Sequence, residues 1–228
     1  LAEDPPSLTL HVSRRAAQVP DPPATKAAVR DDSARAIDWR NATSLGVPWS
    51  GSLVDGTQLP LEGPDWVTWN PVTDSVPNAP RRLYGNERTI RALLSVLEAY
   101  RAAHPRASRV VVGDISFEHG GPMDAHVSHQ NGLDVDIYYP RRDGALRAPR
   151  SPEAIDRRLS QDILDRFLAA GATMVFVGYA TGLHGPDEVV MRALDETCMH
   201  PEGLFFPDTY LFGKGTRDLD VLRQARER

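Results

Sequence analysis

One stretch restricts this chain more than any other. Between His126 and Asp136 two histidines and two aspartates fall within eleven positions, and the stretch runs into Leu133-Asp134-Val135-Asp136-Ile137. Such alternation has the period of a strand, whose successive side chains point to opposite faces. Leu133, Val135 and Ile137 then face one way, and Asp134 and Asp136 the other. Two carboxylates on one face of an otherwise buried strand are costly unless they are paired or bound to a cation. The turn-forming pair Asn131-Gly132 lets the preceding loop fold back over that face, bringing His129 near Asp136. Imidazole and carboxylate suit zinc, at about 2.0–2.2 Å per bond. A catalytic zinc keeps about three protein ligands and a place for water, whose pKa it lowers to roughly 7. The same residue types also suit an ion-pair network. Asp134 could cap a turn or pair with an arginine, and a histidine near a glycine-rich loop could be a plain polar loop residue.

The rest of the chain predicts an α+β fold, a small antiparallel sheet flanked by helices. From about Ser44, turn glycines at short spacing read as short strands joined by tight turns. Trp66 and Trp69 fit core or rim packing better than a ligand platform. A helix is expected over 86–104, with Asn86 as cap, Glu87 in the first turn, an apolar stripe of Ile90, Leu93, Leu94 and Leu97, and Pro105 as stop. Val110-Val111-Val112 reads as a buried strand ending at Gly113-Asp114, and 133–139 as a second strand. A second helix is expected over 152–170, capped by Ser151, started by Pro152 and ended by Gly171, with Ile155, Leu159, Ile163 and Phe167 facing the core. A strand over 174–177 follows.

Residues 1–43 are rich in proline and alternating charge, the composition of a flexible N-terminal segment. Residues 44–228 then form the folded domain. A net charge of −5 argues against a nucleic-acid or anionic-membrane binder, which needs a basic surface. No apolar run reaches the length of a transmembrane helix. A single cysteine, Cys198, excludes an internal disulfide framework. No signal-peptide pattern is visible at Leu1, so any targeting segment is expected to have been removed or never to have been there. No glycine-rich lysine loop supports a nucleotide-handling enzyme.

The run His126-Val127-Ser128-His129-Gln130-Asn131-Gly132-Leu133-Asp134-Val135-Asp136-Ile137 resembles the signature of the penicillin-insensitive murein endopeptidases. These belong to the LAS group of zinc peptidases, with lysostaphin-type and D-Ala-D-Ala peptidases. Gly113-Asp114-Ile115-Ser116, Gly120-Gly121, and Leu45-Gly46-Val47-Pro48 with Gly51-Ser52-Leu53 are similar to the same family's pattern, so the resemblance covers roughly 44–190. It implies a LAS-type metallopeptidase fold, Zn2+ as cofactor, and His129 and Asp136 as two of its ligands. It implies His126 as a histidine beside the metal, either a further ligand or the base, and Asp134 as a carboxylate that orients the site.

The family's third ligand is the last histidine of a downstream His-x-His, whose first histidine acts in catalysis. Here the best match is Cys198-Met199-His200, so His200 can supply the ligand while Cys198 stands at the catalytic histidine's position. His200 could equally be a loop histidine. His184, in a glycine loop, is the other candidate. A Cys198 thiolate beside His200 would instead fill the fourth coordination position and make the site structural. The tail from about residue 201 does not resemble the family, and 216–228 reads as a polar amphipathic helix.

The resemblance implies a zinc metallopeptidase that hydrolyses the D-alanyl-to-diaminopimelate cross-links of peptidoglycan. It would use no serine nucleophile, so β-lactams would not inhibit it. A periplasmic or extracellular location is expected from the substrate. The alternative is a catalytically impaired, zinc-containing module of the same fold that binds cell wall without cutting it, because Cys198 replaces an expected histidine.

Overall fold

The computed structural model describes residues 37–123, 126, 128–178 and 181–192. The fold is α+β, with two long helices against small sheets. A hairpin of β1 (Thr43–Val47) and β2 (Ser50–Val54) pairs in the antiparallel register Thr43↔Val54 to Val47↔Ser50. The short strands β3 (Thr57–Gln58) and β5 (Tyr84–Gly85) pair likewise. The central sheet has the order β4 (Trp66–Thr68), β6 (Val110–Val112), β7 (Ile137–Tyr138). It is mixed rather than wholly antiparallel: β4 runs parallel to β6 and β7 antiparallel to it. A parallel pair of β8 (Val175–Val177) and β9 (Val190–Arg192) completes the set.

Helix α1 (Glu87–Ala103) starts where Asn86 accepts a hydrogen bond from the Arg88 backbone, which satisfies one orphan donor of the first turn. Its apolar stripe buries Ile90, Leu93 and Leu97 fully, with Leu94 at the margin. The second helix is shorter than the sequence predicts. Pro152–Ala154 makes a separate 3-10 turn, Ile155 is extended, and α2 spans Arg157–Ala169. Ser151 makes no capping bond; Asp156 caps instead, accepting from Leu159 N at 3.0 Å. The reason is tertiary. Asp156 N is drawn to Pro140 O at 2.8 Å and Ile155 bridges Arg141, so the chain stays extended past 154 and the helix begins after it. Gly171, at φ +92°, ends α2 as expected. Gly171 N bonds to Leu168 O and Ala172 N to Phe167 O, the paired bonds of a Schellman cap.

The main core lies between α1, α2 and one face of the central sheet. Trp66, Leu83, Ile115, Ile155, Leu159, Ile163 and Phe167 belong to it. On the other face of the sheet, Val67, Val111 and Tyr138 pack with Trp69, whose ring meets Tyr138 edge-on at 4.8 Å. Both tryptophans are therefore packing residues. Within 37–43, Ile37 and Ala42 are buried, and the Arg91 guanidinium lies 3.9 Å over the Trp39 ring.

The strand expected over 133–139 shrinks to Ile137–Tyr138. Gly113 N donates to Asp136 O at 2.8 Å, and Asp136 N donates to Asp114 O at 3.0 Å. Two residues thus face one, the pattern of a β-bulge, which breaks the regular ladder and re-aims the side chains beside it. The bulge places Asp114 and Asp136 side by side where β6 ends and β7 begins.

Candidate metal centre

The chain between Asp114 and Asp136 forms a loop that is stitched to its surroundings through its backbone. Leu53 N donates to His119 O at 3.0 Å, Gln130 N to Pro48 O at 2.8 Å, and Asn86 N to Gly132 O at 2.8 Å. The Ser44 hydroxyl donates to Asn131 O at 2.6 Å. The β1–β2 hairpin and the start of α1 therefore hold this loop from two sides. The closest approach needs a glycine. At Gly120, with φ +69°, a Cβ would lie 2.2 Å from Gln130 O and 2.6 Å from Leu53 N.

His129 sits at φ +66°, a left-handed conformation that costs a non-glycine residue about 1–3 kcal/mol and persists only where its surroundings enforce it. Three bonds enforce it here. Its N–H donates to Asp134 Oδ2 at 2.7 Å, its carbonyl accepts from the Ser116 hydroxyl at 2.5 Å, and its Nδ1 lies 2.8 Å from Ile115 O. A carbonyl can only accept, so Nδ1 carries a proton, and Nε2 is the nitrogen that offers a lone pair once it has given up its own proton. That Nε2 lies 3.3 Å from Asp136 Oδ1. The sequence-level expectation that the turn brings His129 to Asp136 is thus met geometrically. The route differs from simple strand alternation, because Asp134 is spent on the His129 backbone.

His126 joins the pair. Its ring centroid lies 4.3 Å from that of His129. His126, His129 and Asp136 can each offer one donor atom, all within 4.8 Å of one another. Such a donor set fits a divalent metal ion, and the charge distribution agrees. Asp134 and Asp136 are almost fully buried, and Asp134 Oδ1 and Asp136 Oδ2 have no hydrogen-bond partner among the described residues. Buried carboxylate oxygens without donors are expensive, and a cation relieves the cost. Burial would lower the pKa of His129, but the negative charge of Asp136, with those of Asp134 and Asp114, outweighs it and pushes the value up to about 9. Burial and the neighbouring His129 charge push the pKa of His126 down.

Asp114, which no reading of local pattern singles out as a site residue, is the most enclosed carboxylate of the cluster. Arg82 grips it with two bonds, Nε to Oδ1 at 2.8 Å and Nη2 to Oδ2 at 2.6 Å. Asn78 donates to Oδ1 at 2.8 Å, and His126 Nε2 lies 2.8 Å from Oδ2. Burial would raise its pKa, but Arg82 and His126 hold it well below the usual carboxylate range. The signals at Gly113-Asp114 were the end of a strand and a likeness to the family's pattern, neither of which gave Asp114 a role; Asn78 and Arg82 carry no periodicity that could announce them.

Of the other predicted site residues, His184 is exposed and bonded through its backbone to Gln161, away from this group. Cys198 and His200 lie outside the described residues. No described helix is long and apolar enough to cross a membrane.

No curated protein gives a match to the chain. A family model described as penicillin-insensitive murein endopeptidase matches residues 44–166, more than half of the 228 residues. The match spans the hairpin, α1, the bulge and the whole histidine–aspartate loop, and ends before Cys198. The chain belongs to the penicillin-insensitive murein endopeptidase family.

Proposed function

We propose that this protein is a zinc-dependent endopeptidase that hydrolyses D-alanyl-to-diaminopimelate cross-links of peptidoglycan outside the cytoplasmic membrane. The observation that carries the reading is the buried meeting of His126, His129 and Asp136 within 4.8 Å, with carboxylate oxygens that have no donor among the described residues. Imidazole nitrogen and carboxylate oxygen are the donors zinc takes, and zinc, when bound, supplies Lewis acidity to a scissile carbonyl and activates water.

The chain's own residues prepare that chemistry. Ile115 O keeps the Nδ1 proton in place, so Nε2 of His129 is the nitrogen that faces Asp136. Asp134 holds the His129 backbone and thereby the direction of the ring. Asp136 brings the negative charge that a divalent ion needs. His126 stands beside the same point, as a further donor or as the group that accepts a proton from the attacking water. His200, two residues beyond Cys198, supplies the remaining ligand in this reading. Protein incubated with cross-linked muropeptide dimers, with and without a chelator, tests it. Mass spectrometry should show dimers converted to monomers only without chelator. Intact dimers alongside zinc-loaded protein would refute the activity.

Cys198 at the family's catalytic-histidine position favours a second reading, a cell-wall-binding module with impaired turnover. Cys198→His distinguishes the two. A large gain in dimer cleavage supports the impaired module, whereas efficient cleavage by the natural chain rejects it.

A further inference from the structure

We propose that Asp114, clamped by Arg82 and Asn78, is the positioning residue that turns the His126 imidazole toward the point shared by His129 and Asp136, making His126 a donor to the metal. The proposal rests on the metal reading above and deepens it.

Asp114 has 0 % exposure, and its two oxygens meet groups from two separate segments, Asn78 and Arg82 on one and His126 on the other. A carboxylate present only to neutralise Arg82 would be satisfied by the two-pronged guanidinium contact. Here Oδ2 is shared between Arg82 and His126 Nε2, at 2.6 and 2.8 Å. The clamp is rooted in the central sheet. Asn78 N donates to the Thr68 hydroxyl of β4 at 3.1 Å, and Asn78 Oδ1 accepts from Ala79 N at 2.7 Å, which fixes the amide that donates to Asp114. Asp114 itself stands in the bulge opposite Asp136, bonded through its carbonyl to Asp136 N. The residue whose carboxylate fixes His126 is thus tied by a backbone hydrogen bond to Asp136. A carboxylate accepting from one imidazole nitrogen fixes the ring's rotation and makes the other nitrogen the electron-pair donor. Loss of such an outer partner typically lowers metal affinity about 10–100-fold.

The test is a double-mutant cycle on the full chain, read as zinc affinity by chelator competition and as the absorption spectrum of the cobalt-substituted protein. Asp114→Asn should weaken zinc binding about 10–100-fold and alter the cobalt spectrum. In a His126→Ala background the same substitution should change affinity less than about twofold, because the ring it acts through is gone. Equal loss in both backgrounds would make Asp114 merely structural and overturn the proposal. Normal affinity in Asp114→Asn would do the same. Should Asp114→Asn fail to fold, Asn78→Ala loosens the clamp more gently and should show the same background dependence. A natural chain that binds no zinc would instead overturn the metal centre itself.

Discussion

His129 Nε2 lies 3.3 Å from Asp136 Oδ1, while the opposite ring nitrogen of His129 is held by the carbonyl of Ile115. The two side chains come from a left-handed loop residue and a bulged strand end, and both are buried. On the proposed zinc reading, replacing either should therefore abolish metal binding. His129→Ala and Asp136→Ala should each lower zinc affinity by more than about 100-fold, beyond the loss expected for an outer partner. Metal analysis after dialysis checks this; full zinc content in both variants would locate the ion elsewhere.

Asp134 touches the same histidine through its backbone. Asp134→Ala leaves a buried N–H unsatisfied and should destabilise the fold by about 1–3 kcal/mol. It should also weaken zinc binding, because the left-handed conformation of His129 loses one of its three restraints. Urea unfolding and chelator competition on one preparation measure both effects. A variant with lost affinity and unchanged stability would contradict this coupling.

The acid limb of stability should depend on Asp114. Its folded pKa lies below the ordinary value, so its contribution is complete above the unfolded carboxylate value of about 3.9. The contribution is lost as pH falls from there through the folded value. Asp114→Ala also removes the carboxylate that grips the buried Arg82 with two bonds, and breaking such a pair costs about 3–5 kcal/mol at neutral pH. Urea midpoints at pH 7 and pH 3 should show the variant much less stable at pH 7 and the difference narrower at pH 3. An equal deficit at both values would disprove the assignment.

The alkaline limb should depend on Tyr100 of α1, which is fully buried and whose hydroxyl has no hydrogen-bond partner among the described residues. Burial, helped by the charges of Asp156 and Asp162, pushes its pKa up to about 12. A raised folded value means the contribution is whole below the unfolded value of about 10 and is lost as pH climbs towards 12. Tyr100→Phe should leave stability at pH 7 unchanged or raise it by up to about 1–3 kcal/mol, since an unsatisfied buried hydroxyl is removed. It should also flatten the decline between pH 10 and 12. Thermal unfolding across that range measures it, and a steeper decline in the variant would count against this account.

Much of the fold is legible because its signals are local. Asn86, Glu87 and the stripe from Ile90 to Leu97 lie within three turns of one another, so they specify α1 without help from distant residues. The same holds for Gly171 at the end of α2 and for the three buried valines of β6. The meeting of His129 with Asp136 is nearly as local, since one turn joins them. Where distant segments compete, local pattern fails. Ser151 loses the cap of α2 to Asp156 because Pro140 and Arg141 hold the intervening backbone extended. The alternating run from Leu133 is cut short by a bulge that depends on the facing strand.

The amino-acid order alone determined α1, the body and end of α2, the buried valine strand β6 and the identity of the histidine–aspartate loop, because each is encoded by residues that are neighbours along the chain. Tertiary structure decided which carboxylate serves which partner. Asp134 goes to the His129 backbone, Asp136 to its ring, and Asp114 to Arg82, Asn78 and His126. Strand alternation by itself does not allot these partners, because a buried charge is allotted by the donors that packing brings within hydrogen-bond reach, and for Asp114 those donors come from segments far apart in the chain.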